Sequence, residues 1–239
     1  MRTQATGQLN KQPPWYRRLV LPAYHVKDAA RYARVSPQTI LNWQKKQTDQ
    51  PTISHREDGQ SLSYLQLIEV AVVAAMREAG VSLTAIRNAK EYIAQRLKSE
   101  YPFAQYGFKT DGKQILMKLS DFEKNESPDK LIVVSKSGQL GWNTILEARL
   151  KEFEYNKGMA VRWNVGGADS PVSIDPQVSF GAPSVKGIPT WTIKGRLDAG
   201  ESIDDIADDF ILDPAEVREA LRFEGIEVDK IKNNTEWSH

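Results

Sequence analysis

The chain has 239 residues, and its 32 Lys and Arg residues nearly balance its 31 Asp and Glu residues, which leaves a formal net charge of +1 at pH 7. Contents of 40% hydrophobic and 26% charged residues are typical of soluble globular proteins and exclude collagenous, disordered and membrane-spanning chains. The lack of Cys excludes disulfides, thiolate zinc sites and thiol nucleophiles, and it suits a reducing cytoplasm. We find neither a secretory signal nor the roughly 20 apolar residues of a membrane span, so we expect a cytoplasmic protein without membrane contact.

Charge is distributed unevenly along the chain. Residues 1–56 contain ten basic and two acidic residues, whereas residues 198–224 contain ten acidic and two basic residues. A basic segment favours a polyanionic partner, usually nucleic acid, and the same partner repels an acidic segment. Both segments could also be solvated faces of ordinary domains, so charge alone does not identify a partner.

The basic segment contains a predicted pair of helices after a flexible basic arm over residues 1–22. The first helix spans Val26–Tyr32. Ser36 is placed to cap a second helix, and Pro37 suits its first position because no amide donor is needed there. The second helix is predicted to run to about Gln47. Its inward face holds three apolar residues, Ile40, Leu41 and Trp43. Two helices joined by such a short turn are typical of a helix-turn-helix.

The outward face of the second helix carries amide, hydroxyl and ammonium groups and no acid, which suits contact with base edges and phosphates. A helix face that is merely solvated is the alternative. Further along, Asp58-Gly59 predicts a tight turn between Ile53–Arg56 and Gln60–Leu62, a wing that would carry its basic residues towards a phosphate. The predicted DNA-binding residues are Arg31, Arg34, Ser36, Gln38, Thr39, Asn42, Lys45, Lys46, His55 and Arg56.

The next predicted helix is apolar on nearly its whole circumference. It is capped by Ser63, ends at Gly80 and contains an apolar run over residues 65–76. A helix that is apolar on all sides must be buried on all sides. Because it is short for a membrane span and contains Glu69, we expect it to lie between the helix-turn-helix and a second layer. A further helix, Leu83–Leu97, presents an apolar stripe to the core.

Residues 23–99 resemble the MerR-type winged helix-turn-helix. The resemblance rests on Tyr24-His25-Val26, Val35-Ser36-Pro37-Gln38-Thr39, the short wing and Val81-Ser82-Leu83-Thr84-Ala85-Ile86-Arg87. It implies a DNA-binding domain. The chain departs from the regulators of that family because it lacks a long coiled coil after the fourth helix and a cysteine effector site. Both departures argue against a metal- or drug-sensing member.

Residues 100–170 are predicted to form a small α/β connecting region. Its expected elements are strands at Tyr106–Thr110, Gln114–Lys118 and Leu131–Ser135, a helix over Gly141–Lys151, and a hairpin from Phe153–Tyr155 to Ala160–Trp163. Gly166–Ser170 is a predicted linker. The sequence contains no glycine-rich phosphate-binding motif. We therefore interpret this region as a sheet that joins domains or protomers.

Residues 171–224 are predicted to form three short helices. The first covers about Thr190–Ala199. The second begins at the cap Ser202 and the third at the cap Asp213, with Glu216 in the capping-box position. This unit has the shape of a helix-turn-helix, but the acids on its third helix oppose DNA binding. We therefore expect a protein-interaction or dimerisation domain.

An ordered series of motifs resembles VapB-type antitoxins that join a MerR-like head to a small C-terminal domain of formerly unknown function. The upstream motifs are Tyr101-Pro102-Phe103-Ala104, Thr110-Asp111-Gly112 and Ser137-Gly138-Gln139. Those of the C-terminal domain are Asp175-Pro176, Gly181-Ala182-Pro183, Gly187–Thr190, Ala199-Gly200-Glu201-Ser202 and Ile206-Ala207-Asp208-Asp209-Phe210. The resemblance covers most of Tyr24–Glu224. It implies an antitoxin of a type II toxin–antitoxin module, which neutralises a PIN-like ribonuclease toxin and represses its own operon.

These predictions describe an α+β protein with an N-terminal MerR-like winged helix-turn-helix, a small central β-sheet region and a C-terminal three-helix, helix-turn-helix-like domain. A two-fold homodimer would place two heads on half-sites one turn apart and recognise an inverted-repeat operator in double-stranded DNA. The tail, residues 225–239, offers four apolar side chains that could order on the toxin: Ile226, Val228, Ile231 and Trp237. A disordered end is the alternative for this tail.

Enzymatic function has little support in the sequence. The acids Asp204, Asp205, Asp208 and Asp209 could bind a divalent cation, but a solvated face is favoured because no other ligand converges on them. A Ser-His-Asp triad would need one of two histidines at the predicted DNA-facing end. We expect a non-enzymatic protein without cofactor or metal. The alternatives to an antitoxin are a MerR-type regulator that responds to a small-molecule effector and a nucleoid-structuring protein.

Overall fold

The computed structural model describes residues 13–45, 51–55, 59–109 and 137–228. The chain divides into two compact units, an N-terminal unit, Met1–Val161, and a C-terminal unit, Arg162–His239. Both units contain short helices, and the sheets among the described residues have two strands each. The mixed α+β class expected from the sequence is confirmed.

Helices dominate the N-terminal unit. Its first elements are α1 (Pro14–Val20), β1 (Pro22–Tyr24), α2 (Val26–Ala33), α3 (Pro37–Gln44), β2 (Leu62–Ser63), α4 (Tyr64–Glu78) and α5 (Leu83–Leu97). They are followed by a 3-10 turn (Pro102–Ala104), α6 (Ser137–Lys151) and a hairpin of β3 (Phe153–Asn156) and β4 (Met159–Trp163), whose last two residues belong to the C-terminal unit.

Helix α4 forms the centre of the N-terminal unit. Every residue from Tyr64 to Met76 is buried, as its apolar circumference predicts. A capping box fixes its first turn: the Ser63 hydroxyl accepts from the amide of Gln66, and the Gln66 side chain accepts from the amide of Ser63. Helices α1, α2 and α6 pack against α4. The expected position of this helix between two layers is therefore confirmed.

The predicted flexible arm is helical where the structure describes it. Helix α1 packs against α4, and the side chain of Leu19 is fully buried. Pro14 suits the first position of this helix. The prediction of a flexible arm was wrong for this part because a single buried Leu beside two arginines gives no detectable helical period. Residues 1–12 lie outside the described residues.

The predicted wing is paired differently. Strands β1 and β2 are antiparallel, with Tyr24 opposite Leu62. The described part of Ile53–Arg56 is irregular, so the expected ladder between this segment and Gln60–Leu62 is not observed there. The turn predicted at Asp58-Gly59 is a local signal. It could not show that β2 pairs with β1, which lies about 40 residues earlier in the chain. Residues 56–58 lie outside the described residues.

The connecting region agrees in part with the prediction. Residues 106–109 are helical rather than extended, and Phe108 is fully buried with its ring centroid 5.1 Å from that of Phe103. This aromatic packing overrides the alternating pattern that suggested a strand. The helix ending at Lys151 and the β3–β4 hairpin are confirmed. Two predicted strands lie outside the described residues, Gln114–Lys118 and Leu131–Ser135.

In the C-terminal unit, three helices follow a short hairpin. The elements are a 3-10 turn (Ser179–Gly181), β5 (Ser184–Val185), β6 (Ile188–Pro189), α7 (Thr190–Asp198), α8 (Ile203–Phe210) and α9 (Pro214–Phe223). Their core includes Trp163, Ile174, Ile193, Ile206 and Val217, all fully buried. The three predicted helices are confirmed to within a residue or two. The predicted linker, Gly166–Ser170, forms hydrogen-bonded turns inside this unit.

Candidate nucleic-acid interface

A three-residue turn joins α2 to α3. Arg34 ends α2 in the left-handed region, with φ 56° and ψ 42°. The amide of Val35 donates to the carbonyl of Ala30 at 2.9 Å, and Ser36 Oγ accepts from the amide of Thr39 at 3.1 Å. The predicted cap of the second helix is confirmed, and the helix ends slightly earlier than predicted.

Helix α3 has one buried and one exposed face. Ile40 and Trp43 are buried, and Leu41 is half-buried. Gln38 and Asn42 are exposed one helical turn apart, and Gln38 Nε2 donates to Asn42 Oδ1 at 3.0 Å. Amides in this position can both donate to and accept from base edges.

Cationic residues flank these two amides along the chain. Arg34 and Lys45 are exposed at the two ends of α3 and its turn. Arg31 is exposed as well, with its guanidinium carbon 5.2 Å from the ring centroid of Tyr32. Over residues 26–45 the sequence contains a single acid, Asp28. The exposed surface of the helix pair is therefore polar and cationic.

The remaining predicted DNA-binding residues differ in accessibility. Ser36 is exposed and Thr39 is half-buried, and their hydroxyls lie 2.8 Å apart, so each is already hydrogen-bonded within the cap. His55 is exposed. Lys46 and Arg56 lie outside the described residues.

The segment that carries His55 is tied to the helix pair. The amide of Thr52 donates to the carbonyl of Trp43 at 3.0 Å, and Arg87 Nε donates to Thr52 Oγ1 at 3.1 Å. Gln66 Nε2 donates to the carbonyl of His55 at 2.6 Å. These bonds from α3, α5 and α4 hold the segment in place, so His55 has a defined position relative to α3.

Glu69 is a fully buried carboxyl beneath this segment. Its Oε2 accepts from the amide of Ser54 at 2.7 Å. Burial raises the pKa of Glu69, although the positive charge of Lys90 and the hydrogen bonds from Ser54 oppose the rise. Burial likewise lowers the pKa of Lys90. Sequence reasoning missed the positioning role of Glu69 because one acid in an apolar helix forms no pattern.

A cleft of about 600 Å³ lies beside α3. Arg34, Thr39 and Asn42 line it together with Arg77 from α4 and Arg149 from α6. The sequence contained no signal for the last two residues, because each lies on a helix far along the chain from the helix-turn-helix. The structure thus brings three predicted residues together and adds two arginines and one acid, Glu78, to them.

The C-terminal unit contains a second turn with the same backbone features. Ile211 ends α8 in the left-handed region, with φ 55° and ψ 46°. The amide of Leu212 donates to the carbonyl of Ala207 at 2.9 Å. Asp213 caps α9 by accepting from the amide of Ala215 at 2.7 Å, and a capping box completes this cap. A short turn therefore joins α8 to a capped α9, as the sequence predicted for this unit.

The surface chemistry of this second turn is different. Ile211 is 87% exposed, and Asp204 and Asp208 are exposed on the preceding helix. Neither aspartate forms an ion pair with a residue in the described part of the chain. Glu219 on α9 pairs with Arg222. An acidic surface with an exposed aliphatic side chain does not suit contact with phosphates.

Other large apolar side chains are exposed in the same unit. Phe180 is 92% exposed and Trp191 is 63% exposed. Ser179 and Phe180 both have positive φ, 45° and 55°, and Ser179 Oγ donates to the carbonyl of Gly187 at 2.6 Å. Apolar side chains exposed together mark binding surfaces, whereas single ones are common on any protein surface.

The structure describes two of the four predicted toxin-binding residues of the tail, Ile226 and Val228. Val228 is 6% exposed, so it belongs to the core and does not offer its side chain to a partner. Ile226 is half-buried, and its amide donates to the carbonyl of Leu221 at 3.0 Å. Ile231 and Trp237 lie outside the described residues.

Two kinds of feature are absent from the described residues, a membrane-crossing helix and a cluster of metal ligands. No helix in residues 13–45, 51–55, 59–109 or 137–228 is long and apolar enough to cross a membrane. The same ranges hold no group of three or more His, Asp or Glu residues arranged to bind a metal ion.

Comparisons with known proteins found a family and relatives that this chain resembles. Residues 172–223 match a family described as "Protein of unknown function (DUF433)". "Putative antitoxin VapB45" of Mycobacterium tuberculosis (strain ATCC 25618 / H37Rv) is 26% identical over 227 residues, which cover 85% of this chain and 94% of the relative. The X-ray crystal structure of Rv2018 from Mycobacterium tuberculosis is similar with a TM-score of 0.68 and 27% identity, over 84% of this chain and 97% of that chain. These matches support a relationship to VapB-type antitoxins.

Proposed function

We propose that this protein is the antitoxin of a type II toxin–antitoxin module that binds a PIN-like ribonuclease toxin and represses its own operon. It works in the cytoplasm as a homodimer, without enzymatic activity. The observation that carries the DNA-binding half is the exposed, cationic face of α3, where Gln38 and Asn42 lie between Arg34 and Lys45. The toxin-binding half is supported by the similarity to VapB45 and by the acidic, partly apolar surface of the C-terminal unit.

The helix pair α2–α3 with its turn and Lys45, residues 26–45, which we call the basic head, has the composition that DNA recognition requires. Its cations attract phosphates irrespective of sequence, whereas its two amides can distinguish base pairs in the major groove. In a two-fold dimer, the two heads would contact half-sites about 34–36 Å apart. The operator is therefore an inverted repeat in the DNA upstream of the gene.

A mobility-shift titration against that upstream DNA tests this half. Asn42→Ala should reduce the preference for the operator over a shuffled duplex, because it removes an amide that can contact a base edge. Lys45→Ala should weaken binding to both duplexes alike and reduce the salt dependence. Lys194→Ala, in the C-terminal unit, is the control. It should change neither the preference for the operator nor the affinity for the two duplexes. Binding that is insensitive to salt contradicts the proposal, and equal affinity for both duplexes favours a nucleoid-structuring protein.

Co-expression tests the toxin half. The partner is the small nuclease whose gene we expect beside that of this chain. The two proteins should co-purify, and the antitoxin should restore growth of cells that express the nuclease. Because Val228 belongs to the core, a chain that ends there removes Ile231 and Trp237 without cutting into the C-terminal unit. Full protection by this shortened chain would remove the tail from the toxin-binding surface.

The cleft beside α3 favours a second candidate, a regulator controlled by a small molecule. Three residues predicted to contact DNA line this cleft, so a ligand bound there would compete with DNA or reorient α3. The neighbouring gene distinguishes the candidates, because an effector-controlled regulator needs no adjacent nuclease.

A further inference from the structure

The two helix-turn-helix turns of this chain correspond residue by residue. Placing the left-handed residues Arg34 and Ile211 in register also aligns the caps Ser36 and Asp213, and no gap is needed. The amide that donates five residues back lies at the same position in both turns, at 2.9 Å in each. The buried positions coincide as well: Ile40 with Val217 and Trp43 with Ala220.

The exposed positions of the two turns carry contrasting side chains. At five positions in this register, cations or amides of the head are replaced by acids or apolar groups in the C-terminal unit: Lys27 by Asp204, Arg31 by Asp208, Arg34 by Ile211, Gln38 by Ala215 and Asn42 by Glu219. At the end of the second helix the charge is kept, because Lys45 aligns with Arg222. Since the two turns share these backbone features, the positions that suit DNA in the first unit present acids around an exposed Ile in the second.

We propose that this face of the C-terminal unit, formed by Asp204, Asp208, Ile211, Ala215 and Glu219, binds the basic RNA-binding surface of the ribonuclease toxin. We call it the acidic face. The inference rests on the proposed antitoxin function and names the surface that performs it. A ribonuclease must hold a polyanion, so the surface that receives RNA carries Lys and Arg. An acidic face complements such a surface and excludes RNA from it.

Ile211 gives the acidic face an apolar anchor. A side chain that is 87% exposed anchors a complex only where the partner offers an apolar recess. The cleft beside α3, lined in part by Val35, Trp43 and Leu83, is an apolar recess next to cations, so the basic head of a second copy is a competing occupant, and the similarity to VapB45 favours the nuclease. Nucleases that stack bases supply such recesses beside their cations.

The test uses the full chain and the ribonuclease encoded by the neighbouring gene. Two variants probe the acidic face: Ile211→Asn, since Asn accepts the left-handed backbone, and Asp208→Asn, which has nearly the same shape. Glu147→Gln, an exposed acid in the N-terminal unit, is the matched control. Ile211→Asn should weaken toxin binding by at least about tenfold and Asp208→Asn by a few-fold, with operator affinity unchanged. A cleavage-resistant modified RNA oligonucleotide should compete with the unaltered chain for the toxin.

Each other result contradicts a specific part of the inference. If the unaltered chain binds the nuclease and both variants bind it equally well, the acidic face is not the toxin surface and the antitoxin proposal stands. If the variants bind the toxin normally but change operator affinity, the occupant is the basic head of a second copy. If the unaltered chain does not bind the nuclease, the antitoxin proposal fails and this inference fails with it.

Discussion

Replacing Ile211 with Asn also tests whether the second turn holds strained backbone. The φ of 55° and ψ of 46° at Ile211 cost a β-branched residue about 1–2 kcal/mol, whereas Asn adopts this conformation with little cost. Full burial of an Ile side chain contributes about 1.5–3 kcal/mol, but 87% of Ile211 is exposed, so its truncation loses only a small part of that energy. We therefore expect Ile211→Asn to raise the free energy of unfolding by about 1 kcal/mol.

Urea unfolding of the full chain, followed by tryptophan fluorescence and circular dichroism, measures this change. The midpoint should rise with an unchanged slope, since the surface exposed on unfolding stays the same. Val178→Asn is the control, because Val178 is an exposed β-branched residue of the same unit with a φ of −115°. It should give no stabilisation. A lower midpoint for Ile211→Asn would refute the strain argument, because it would show that contacts of the Ile side chain stabilise the turn.

Three further predictions concern stability and ionisation. Ser63→Ala removes half of the capping box of α4 and should lower the free energy of unfolding by about 1–2 kcal/mol in the same urea assay. Because burial raises the pKa of Glu69, its stabilising contribution is present below the unfolded-state pKa and lost as the pH rises through the folded-state pKa. The free energy of unfolding of Glu69→Gln should therefore increase relative to that of the unaltered chain as the pH rises. If the two free energies change with pH in parallel, the raised pKa of Glu69 is contradicted. The hydrogen bond from Lys186 lowers the pKa of Glu216, so Lys186→Ala should raise that pKa in an NMR titration, and an unchanged value would exclude the contact in solution.

The parts of the fold that sequence reasoning predicted correctly depend on short-range chemistry. Ser36, Ser63 and Asp213 cap helices because a side-chain oxygen reaches an amide two or three residues further along. The burial of α4 follows from its apolar circumference alone. Such signals lie within one helix and need no knowledge of its neighbours.

The features of the fold and of the candidate site that sequence reasoning predicted wrongly or missed depend on contacts between segments that are distant in the sequence. Strand β2 pairs with β1 rather than within the predicted wing, and residues 106–109 turn helical where Phe108 meets Phe103. Arg77 and Arg149 reach the cleft beside α3 from two other helices. No local pattern distinguishes these arginines from those on any solvated helix, so only the folded chain could assign them to the candidate site.

The charge pattern of the sequence predicts the type of partner for each turn. Opposite charges at the two ends of the sequence predict different partners for two similar folds, but they do not identify the face that each partner contacts. The left-handed residue of each turn identifies that face. Arg34 and Ile211 occupy corresponding backbone positions, and both side chains are exposed. An Arg there can reach a phosphate, whereas an exposed Ile gains only by leaving water. Under the two proposals above, the turn therefore contacts a polyanion in the head and a protein with a basic, partly apolar surface in the C-terminal unit.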